Sequence, residues 1–164
     1  MQLKAAAIVK NYTRQLYLGN IKNAAGIIID NETMQVKAYV GSADYYNADD
    51  GGQVDGIRAV RSPGSTLKPL LYGLAIDRGL ITPQLEPRHL INTLSKADFK
   101  QIALDKDFLG LSTVLGGCGV TLEELTKLYA AFAHGGKLSD LNFLASDSLQ
   151  PGEEILSEPA NFMI

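Results

Sequence analysis

A serine and a lysine that lie three residues apart could together carry out chemistry that neither performs alone. Ser65 and Lys68 lie in the stretch 61–69, which reads RSPGSTLKP. Three residues make nearly one helical turn, so on a helix the Lys68 amine can reach the Ser65 hydroxyl. A serine hydroxyl is a poor nucleophile until a base takes its proton, and a lysine amine can be that base where burial disfavours its charged form. The pattern therefore predicts a serine that forms an acyl-enzyme, with Lys68 as its base.

The same spacing also fits a surface helix that carries out no chemistry. In that interpretation Ser65 is the N-cap of the helix and Lys68 is an ordinary exposed cation. A serine and a lysine at this spacing arise readily by chance in a chain of 164 residues. The surrounding elements and motifs must therefore decide between the two interpretations.

The residues after the Pro-Gly pair predict the helix that would carry this serine. Apolar residues recur at helical spacing from about Ser65 to Asp77. Pro69 would lie in the first turn, where a missing N–H costs little, and Gly79 would follow the last turn. Open N–H groups at the start of such a helix could stabilise an oxyanion beside Ser65.

Upstream of the serine, the sequence predicts a β-hairpin followed by a long loop. Residues 24–30 form an apolar, β-branched run, and residues 35–40 alternate as the second strand of a hairpin should. Residues 41–57 are rich in Gly, Asp and Asn, which predicts a loop. A cation site is one interpretation of its carboxylates, but their spacing is not that of an EF-hand, and a solvated loop is favoured. These carboxylates belong to Asp44, Asp49, Asp50 and Asp55.

Downstream of the serine, the sequence predicts irregular structure and then a helix. Pro83 and Pro87 fall in residues 80–93, which we expect to be irregular. Helical signals resume at Ser95.

The clearest helix follows a Gly-rich turn at residues 116–119. Thr121 is its predicted N-cap, Glu124 would close a capping box, and Gly135-Gly136 would end it. His134, at its end, is expected to serve the helix dipole rather than catalysis. The apolar face of this helix is expected to consist of Leu125, Leu128, Tyr129 and Phe132.

Composition limits the classes of function. The net charge of −3 gives no reason to expect a nucleic-acid partner, and no apolar run is long enough for a transmembrane helix. The single cysteine, Cys118, excludes an internal disulfide and a multi-cysteine metal site. We expect Cys118 to be a small buried residue of the Gly-rich turn.

Several motifs, in order along the chain, resemble the transpeptidase domain of bifunctional penicillin-binding proteins. The resemblance runs from about Ala24 to Lys137, and residues 115–126 look like the 1C subgroup of that family. The matching segments are VGSADYY at 40–46, GGQVD at 51–55, RSPGSTLKP at 61–69 and LGGCGVTLEELT at 115–126.

The resemblance implies a fold, a reaction and a location. The fold would be α+β and serine β-lactamase-like, with an antiparallel sheet packed with helices. Ser65 would be the nucleophile, Lys68 its base and the Ser65 backbone N–H one oxyanion donor. Peptidoglycan stem peptides would be substrates and β-lactams inhibitors, without a cofactor or metal. The location would be the periplasmic side of the bacterial inner membrane, with the membrane anchor and a glycosyltransferase domain in a longer parent protein.

The chain departs from the family pattern at two motifs. Neither S-x-N nor K-[ST]-G occurs after the serine, and Ser146-Asp147-Ser148 comes nearest but in the wrong order. We expect residues 1–164 to be a partial transpeptidase domain, with a gap near residue 93 and truncation after residue 164. This chain by itself is then expected to react with penicillin barely above background.

Two other functions fit the same residues. A non-catalytic module that binds peptidoglycan or a partner would explain the missing motifs. A secreted β-lactamase would share the nucleophile, but residues 115–126 favour the penicillin-binding protein family instead. Labelling of the full-length protein by a β-lactam distinguishes the transpeptidase from the binding module.

Overall fold

The computed structural model describes residues 1–79, 86–144 and 146–164. These residues form two compact units, each described here by itself. Unit 1 comprises residues 1–59, 121–123 and 141–149, and unit 2 comprises residues 60–120, 124–140 and 150–164. Six α-helices and four strands lie in the described ranges: α1 Gln2–Leu16, β1 Gly26–Ile29, β2 Val36–Val40, α2 Lys68–Asp77, α3 Pro87–Lys96, α4 Lys100–Asp105, α5 Leu122–Ala133, β3 Lys137–Leu138, β4 Glu153–Glu154 and α6 Glu158–Phe162.

The predicted hairpin at the start of unit 1 is confirmed. Strands β1 and β2 pair antiparallel, with Gly26 opposite Val40. The connecting turn is closed by Asp30, whose carboxylate accepts hydrogen bonds from the backbone N–H and the hydroxyl of Thr33, each at 3.0 Å. Alternation of side chains in β2 buries Ala38 and Val40, which is why this short run folds as a strand.

Helix α1 was not predicted from the sequence, and it packs against β2. Ala5 of the helix and Ala38 and Val40 of the strand form a small core. The side-chain amide of Gln2 completes the strand edge, because it donates to Tyr39 O at 2.9 Å and accepts from Tyr39 N–H at 2.8 Å. No helix in the described ranges is long and apolar enough to cross a membrane.

Residues 41–57 form the predicted loop, apart from a short 3₁₀ turn over Ala48–Asp50. Three of its four acidic side chains are engaged within unit 1. Asp44 pairs with Lys10 at 2.8 Å, and Asp50 lies 3.4 Å from Lys22. Asp55 accepts a hydrogen bond from the Tyr39 hydroxyl at 2.6 Å. Among the described residues, no group of three or more His, Cys, Asp or Glu side chains could hold a metal ion.

Unit 2 is built around one apolar core to which helices α2 to α5 contribute. The predicted helix after the serine is confirmed up to Asp77, but its α-helical part begins at Lys68 rather than at Ser65. Gly79 follows it with a φ of +61°. Leucines at helical spacing in α2 point into this core, as the apolar pattern predicts. Its fully buried side chains include Leu67, Leu70, Leu90, Leu94, Phe99, Ile102, Leu128 and Leu156.

The prediction of irregular structure over residues 80–93 is wrong from Pro87 onward, where α3 begins; residues 80–85 lie outside the described ranges. Pro87 starts the helix because its fixed φ suits the first turn, where no N–H is needed. The predicted helix start at Ser95 is also wrong, since Ser95 lies in the last turn of α3. Asp98 has a φ of +57°, and this left-handed conformation turns the chain between α3 and α4.

Helix α5 and its end are confirmed, but its predicted apolar face needs correction. The N–H of Gly136, whose φ is +86°, donates to Ala131 O at 2.9 Å and closes the last turn. Leu128 is fully buried as expected, whereas Tyr129 is 45% exposed. Glu124 is buried and accepts the Lys100 N–H at 2.8 Å. Beyond α5, β3 and β4 pair antiparallel, so the described residues form an α+β fold as predicted.

Candidate active site

Ser65 lies in a 3₁₀ turn that leads directly into α2. The turn spans Gly64–Leu67, and the backbone N–H of Lys68 donates to Ser65 O. Residues three apart eclipse each other in 3₁₀ geometry, so the turn directs Ser65 and Lys68 to the same side. Leu67 is fully buried and anchors the turn in the core of unit 2. This geometry is compatible with the predicted common face, and the joint role of Ser65 and Lys68 stays a prediction.

The side chains of Ser65 and Lys68 are not engaged with other residues in the part of the chain that the structure describes. Ser65 is exposed and Lys68 is half-buried. Within the described ranges, neither side chain makes a hydrogen bond or an ion pair, and the Ser65 hydroxyl is not bonded to the Lys68 amine. Lys68 is thus held partly out of solvent, and it pairs with no carboxylate among the described residues.

The backbone N–H of Ser65 is open. The neighbouring N–H groups are engaged, because Thr66 N–H donates to Pro63 O at 3.2 Å and Gly64 N–H lies 3.4 Å from the Ser62 hydroxyl oxygen. The Ser65 N–H has no acceptor in the part of the chain that the structure describes. An unpaired N–H in the first turn of a helix is a ready donor to a negatively charged oxygen.

The Gly-rich turn predicted at residues 116–119 holds the serine turn, which we define as residues 61–68. The Ser62 hydroxyl donates to Gly116 O at 2.6 Å. Arg61 and Val120 exchange two backbone hydrogen bonds, of 2.8 and 2.9 Å, in an antiparallel bridge. A Cβ atom on Gly116 would lie 2.3 Å from the backbone nitrogen of Gly64, so only glycine permits this approach.

Tyr129 of α5 also contacts the serine turn. Its hydroxyl donates to the carbonyl oxygen of Thr66 at 2.9 Å. Sequence reasoning placed Tyr129 on an apolar face and missed this role. In the sequence, Tyr129 is marked only by its spacing from Leu125 and Leu128. That spacing is the same whether the tyrosine is buried or its hydroxyl binds a backbone carbonyl.

The other residues singled out from the sequence have structural surroundings of their own. Cys118 is half-buried, and burial raises the pKa of its thiol to about 11. The Arg78 guanidinium lies 3.1 Å from Nε2 of His89. Asp147, in the near-match to S-x-N, accepts the Leu144 N–H at 2.9 Å.

Comparison with known proteins identifies the class of domain. Residues 24–102 match the model of the penicillin-binding protein transpeptidase domain, and this range contains Ser65 and Lys68. The chain is 32% identical to Penicillin-binding protein 1C of Escherichia coli (strain K12) across an alignment of 181 residues, which covers 82% of this chain and 23% of that protein. The chain thus carries part of a transpeptidase domain of the penicillin-binding protein family, and the resemblance to its 1C subgroup is confirmed.

Solved structures agree with this fold. The transpeptidase domain of Burkholderia pseudomallei penicillin-binding protein 3, in its apo form, matches 96% of this chain with a TM-score of 0.66 at 15% identity. A peptidoglycan glycosyltransferase from Burkholderia ambifaria matches 98% of the chain with a TM-score of 0.63 at 16% identity. The chain spans 65% and 70% of those two structures.

Proposed function

We propose that this chain is part of a D-alanyl-D-alanine transpeptidase domain that crosslinks peptidoglycan and is acylated by β-lactams at Ser65. The observation that carries the proposal is the state of the serine turn. Among the described residues, an exposed hydroxyl, an open backbone N–H and a half-buried lysine that pairs with no carboxylate occur together, inside the range that matches the family. A surface helix with an ordinary serine N-cap would use that hydroxyl to bond the backbone, and the Ser65 side chain makes no such bond to the residues that the structure describes.

The proposed reaction has two acyl transfers. Ser65 Oγ attacks the carbonyl carbon between the two D-alanines of a stem peptide, and Lys68 accepts the hydroxyl proton. The Ser65 N–H donates to the oxyanion of the tetrahedral intermediate. The peptide bond then breaks, and the terminal D-alanine leaves with a proton from Lys68. An amine of a neighbouring stem peptide then attacks the ester carbonyl and gives its proton to Lys68, which passes it to Ser65 Oγ as the ester bond breaks, so that the crosslink forms and Ser65 is restored.

A β-lactam would follow only the first half of this course. Attack by Ser65 opens the four-membered ring, so the broken amide stays attached and no leaving group departs. The acyl-enzyme persists unless water attacks it, which makes a fluorescent penicillin a suitable probe of the serine.

The groups missing from the chain are proposed to lie in residues absent from it. The alignment with the relative is 181 residues long, which exceeds the 164 residues of this chain. Only 82% of this chain takes part in that alignment. The relative therefore has residues within the aligned region that have no counterpart here. This supports a gap, which we place near residue 93, while the K-[ST]-G strand is proposed to follow residue 164. A periplasmic location, a membrane anchor and a glycosyltransferase domain are proposals for the full-length protein.

The test uses the full-length protein and its Ser65→Ala and Lys68→Met variants. Wild type is expected to gain the mass of one penicillin at Ser65, seen by intact-mass spectrometry and peptide mapping. Ser65→Ala should abolish the label, and Lys68→Met should slow labelling by about 10²–10⁴-fold, because the proton acceptor is lost. The matched controls are Ser146→Ala and Lys96→Met, which change exposed side chains and should label normally.

The binding module remains the alternative because both later motifs are absent from the chain. A wild-type protein that does not label, yet sediments with purified peptidoglycan, would support that function and reject the transpeptidase. Labelling that survives in Ser65→Ala would reject Ser65 as the nucleophile.

A further inference from the structure

The hydrogen bond from Tyr129 joins α5 to the middle one of the three peptide groups that lie between the two candidate catalytic residues. Thr66 O accepts the Tyr129 hydroxyl at 2.9 Å, and Thr66 lies between Ser65 and Lys68 in the chain. The Tyr129 ring is itself held by an edge-to-face contact with Phe132, at a centroid distance of 5.4 Å. The hydroxyl therefore comes from a supported ring, although the side chain is 45% exposed.

The pitch of the serine turn decides how Ser65 and Lys68 face each other. In a 3₁₀ turn, residues three apart eclipse, whereas in an α-helix they are offset by roughly 60° about the axis. The turn is 3₁₀ over Gly64–Leu67 and becomes α-helical at Lys68. Runs of 3₁₀ geometry have poorer hydrogen bonds than an α-helix, so outside contacts favour this form of the turn.

Two such contacts flank the nucleophile. Ser62, three residues before Ser65, is fixed by its bond to Gly116 O at 2.6 Å. Thr66, one residue after Ser65, is fixed by Tyr129. The Thr66 hydroxyl is not free to replace the tyrosine, because it donates to Pro63 O at 2.7 Å.

We propose that Tyr129 is a positioning residue, whose hydroxyl holds the serine turn in its 3₁₀ form and so aligns Ser65 with Lys68. The catalytic part of this inference rests on the proposed function, whereas its structural part does not. The hydroxyl acts through the backbone of Thr66 and touches neither the nucleophile nor its base.

The test compares Tyr129→Phe with Tyr72→Phe in the full-length protein. Tyr129→Phe removes only the hydroxyl and keeps the ring against Phe132. Tyr72 is a matched control, since it is 46% exposed and makes no hydrogen bond among the described residues. Thermal unfolding shows whether each variant remains folded.

Amide hydrogen exchange reports the turn without any chemistry at Ser65. The Lys68 N–H, which bonds to Ser65 O, is expected to exchange about two- to tenfold faster in Tyr129→Phe and unchanged in Tyr72→Phe. Equal exchange in wild type and Tyr129→Phe would overturn the inference.

Penicillin acylation kinetics separate positioning from a purely structural role. Tyr129→Phe should lower the maximal acylation rate constant about two- to tenfold and leave the dissociation constant for penicillin unchanged, because the pre-reaction complex does not need the aligned serine. An unchanged rate constant in a labelling-competent protein would overturn the positioning role, even if exchange increases. If wild type does not label, the proposed function fails with the positioning role, and exchange alone decides whether Tyr129 holds the turn.

Discussion

The serine turn and the acidic loop at residues 41–57 are both irregular, but they are held in opposite ways. The loop is held by its own charged side chains, as the bonds from Asp44 to Lys10 and from Asp55 to Tyr39 show. The serine turn is held by backbone groups and by residues outside it, chiefly Gly116 and Tyr129. In the loop, Asp44 and Asp55 are occupied by structural bonds, whereas in the turn the side chains of Ser65 and Lys68 make no bond to the described residues.

This difference separates structural carboxylates from candidate catalytic groups. The bond from Lys10 is the largest cause of a lowered pKa at Asp44. Burial, followed by the bond to Asp55, raises the pKa of Tyr39 to about 12. The two pKa shifts thus arise from burial and from bonds within the fold. A side chain that makes no structural bond, but lies in an element that other residues hold in place, is the better candidate for catalysis.

The largest effect on stability is expected from Gly116→Ala. The added Cβ would lie 2.3 Å from Gly64 N, and the φ of Gly116 is +88°, so both overlap and backbone strain arise. We expect a loss of about 2–4 kcal/mol in the free energy of unfolding, together with slower labelling of Ser65. Urea unfolding and penicillin labelling measure the two effects. Gly110→Ala is the control, because nothing lies within 4 Å of its Cβ position; equal losses in the two variants would show that the close approach is unimportant.

A smaller loss is expected from Asp55→Asn in the acidic loop. Its carboxylate accepts from the Tyr39 hydroxyl at 2.6 Å and from the Ile57 N–H at 3.0 Å. An amide keeps one acceptor and turns a donor toward the other partner, so we expect a loss of about 1–2 kcal/mol by urea unfolding, with penicillin labelling unchanged. Asp49→Asn, an exposed carboxylate of the same loop, should change little. Slower labelling in Asp55→Asn would break the proposed contrast between loop and turn.

The same pair gives a pH dependence. Because the pKa of Tyr39 is raised to about 12 in the fold and is about 10 in an unfolded chain, its neutral form contributes stability that is fully present below pH 10. That contribution is lost as the pH rises from about 10 to about 12. Phenolate formation can be followed by a spectroscopic titration. The component that titrates at the highest pH should be absent in Tyr39→Phe, and its midpoint should move to lower pH in Asp55→Asn.

The smallest effect on function is expected from Cys118, which lies in the Gly-rich turn beside Gly116. With its pKa raised to about 11 by burial, the thiol is almost fully protonated at pH 8. Iodoacetamide should therefore modify it slowly in the folded protein and quickly in urea. Cys118→Ala should change stability by about 1 kcal/mol or less and leave penicillin labelling intact. Rapid alkylation of the folded protein would show that this part of the turn opens readily.

The elements that could be predicted have strong local patterns. The hairpin, α2 and α5 follow from alternation or helical spacing bounded by turn residues. Helix α1 was missed because only Ala5 and Thr13 are buried, so its apolar residues do not mark a single face. The start of α3 was misplaced because a proline that begins a helix and one that interrupts a helix look alike in sequence.

For the candidate site, the sequence alone determined the identity and spacing of Ser65 and Lys68, and hence the chemistry they could carry out. The turn at residues 116–119 could also be predicted from the sequence, because its glycines are a local signal. Only the tertiary structure decided what holds the serine in place. Gly116 lies against Gly64, and Tyr129 bonds to Thr66 across 63 positions of the chain. Contacts between residues so far apart depend on how the helices pack around the core, and no periodicity along the sequence records them.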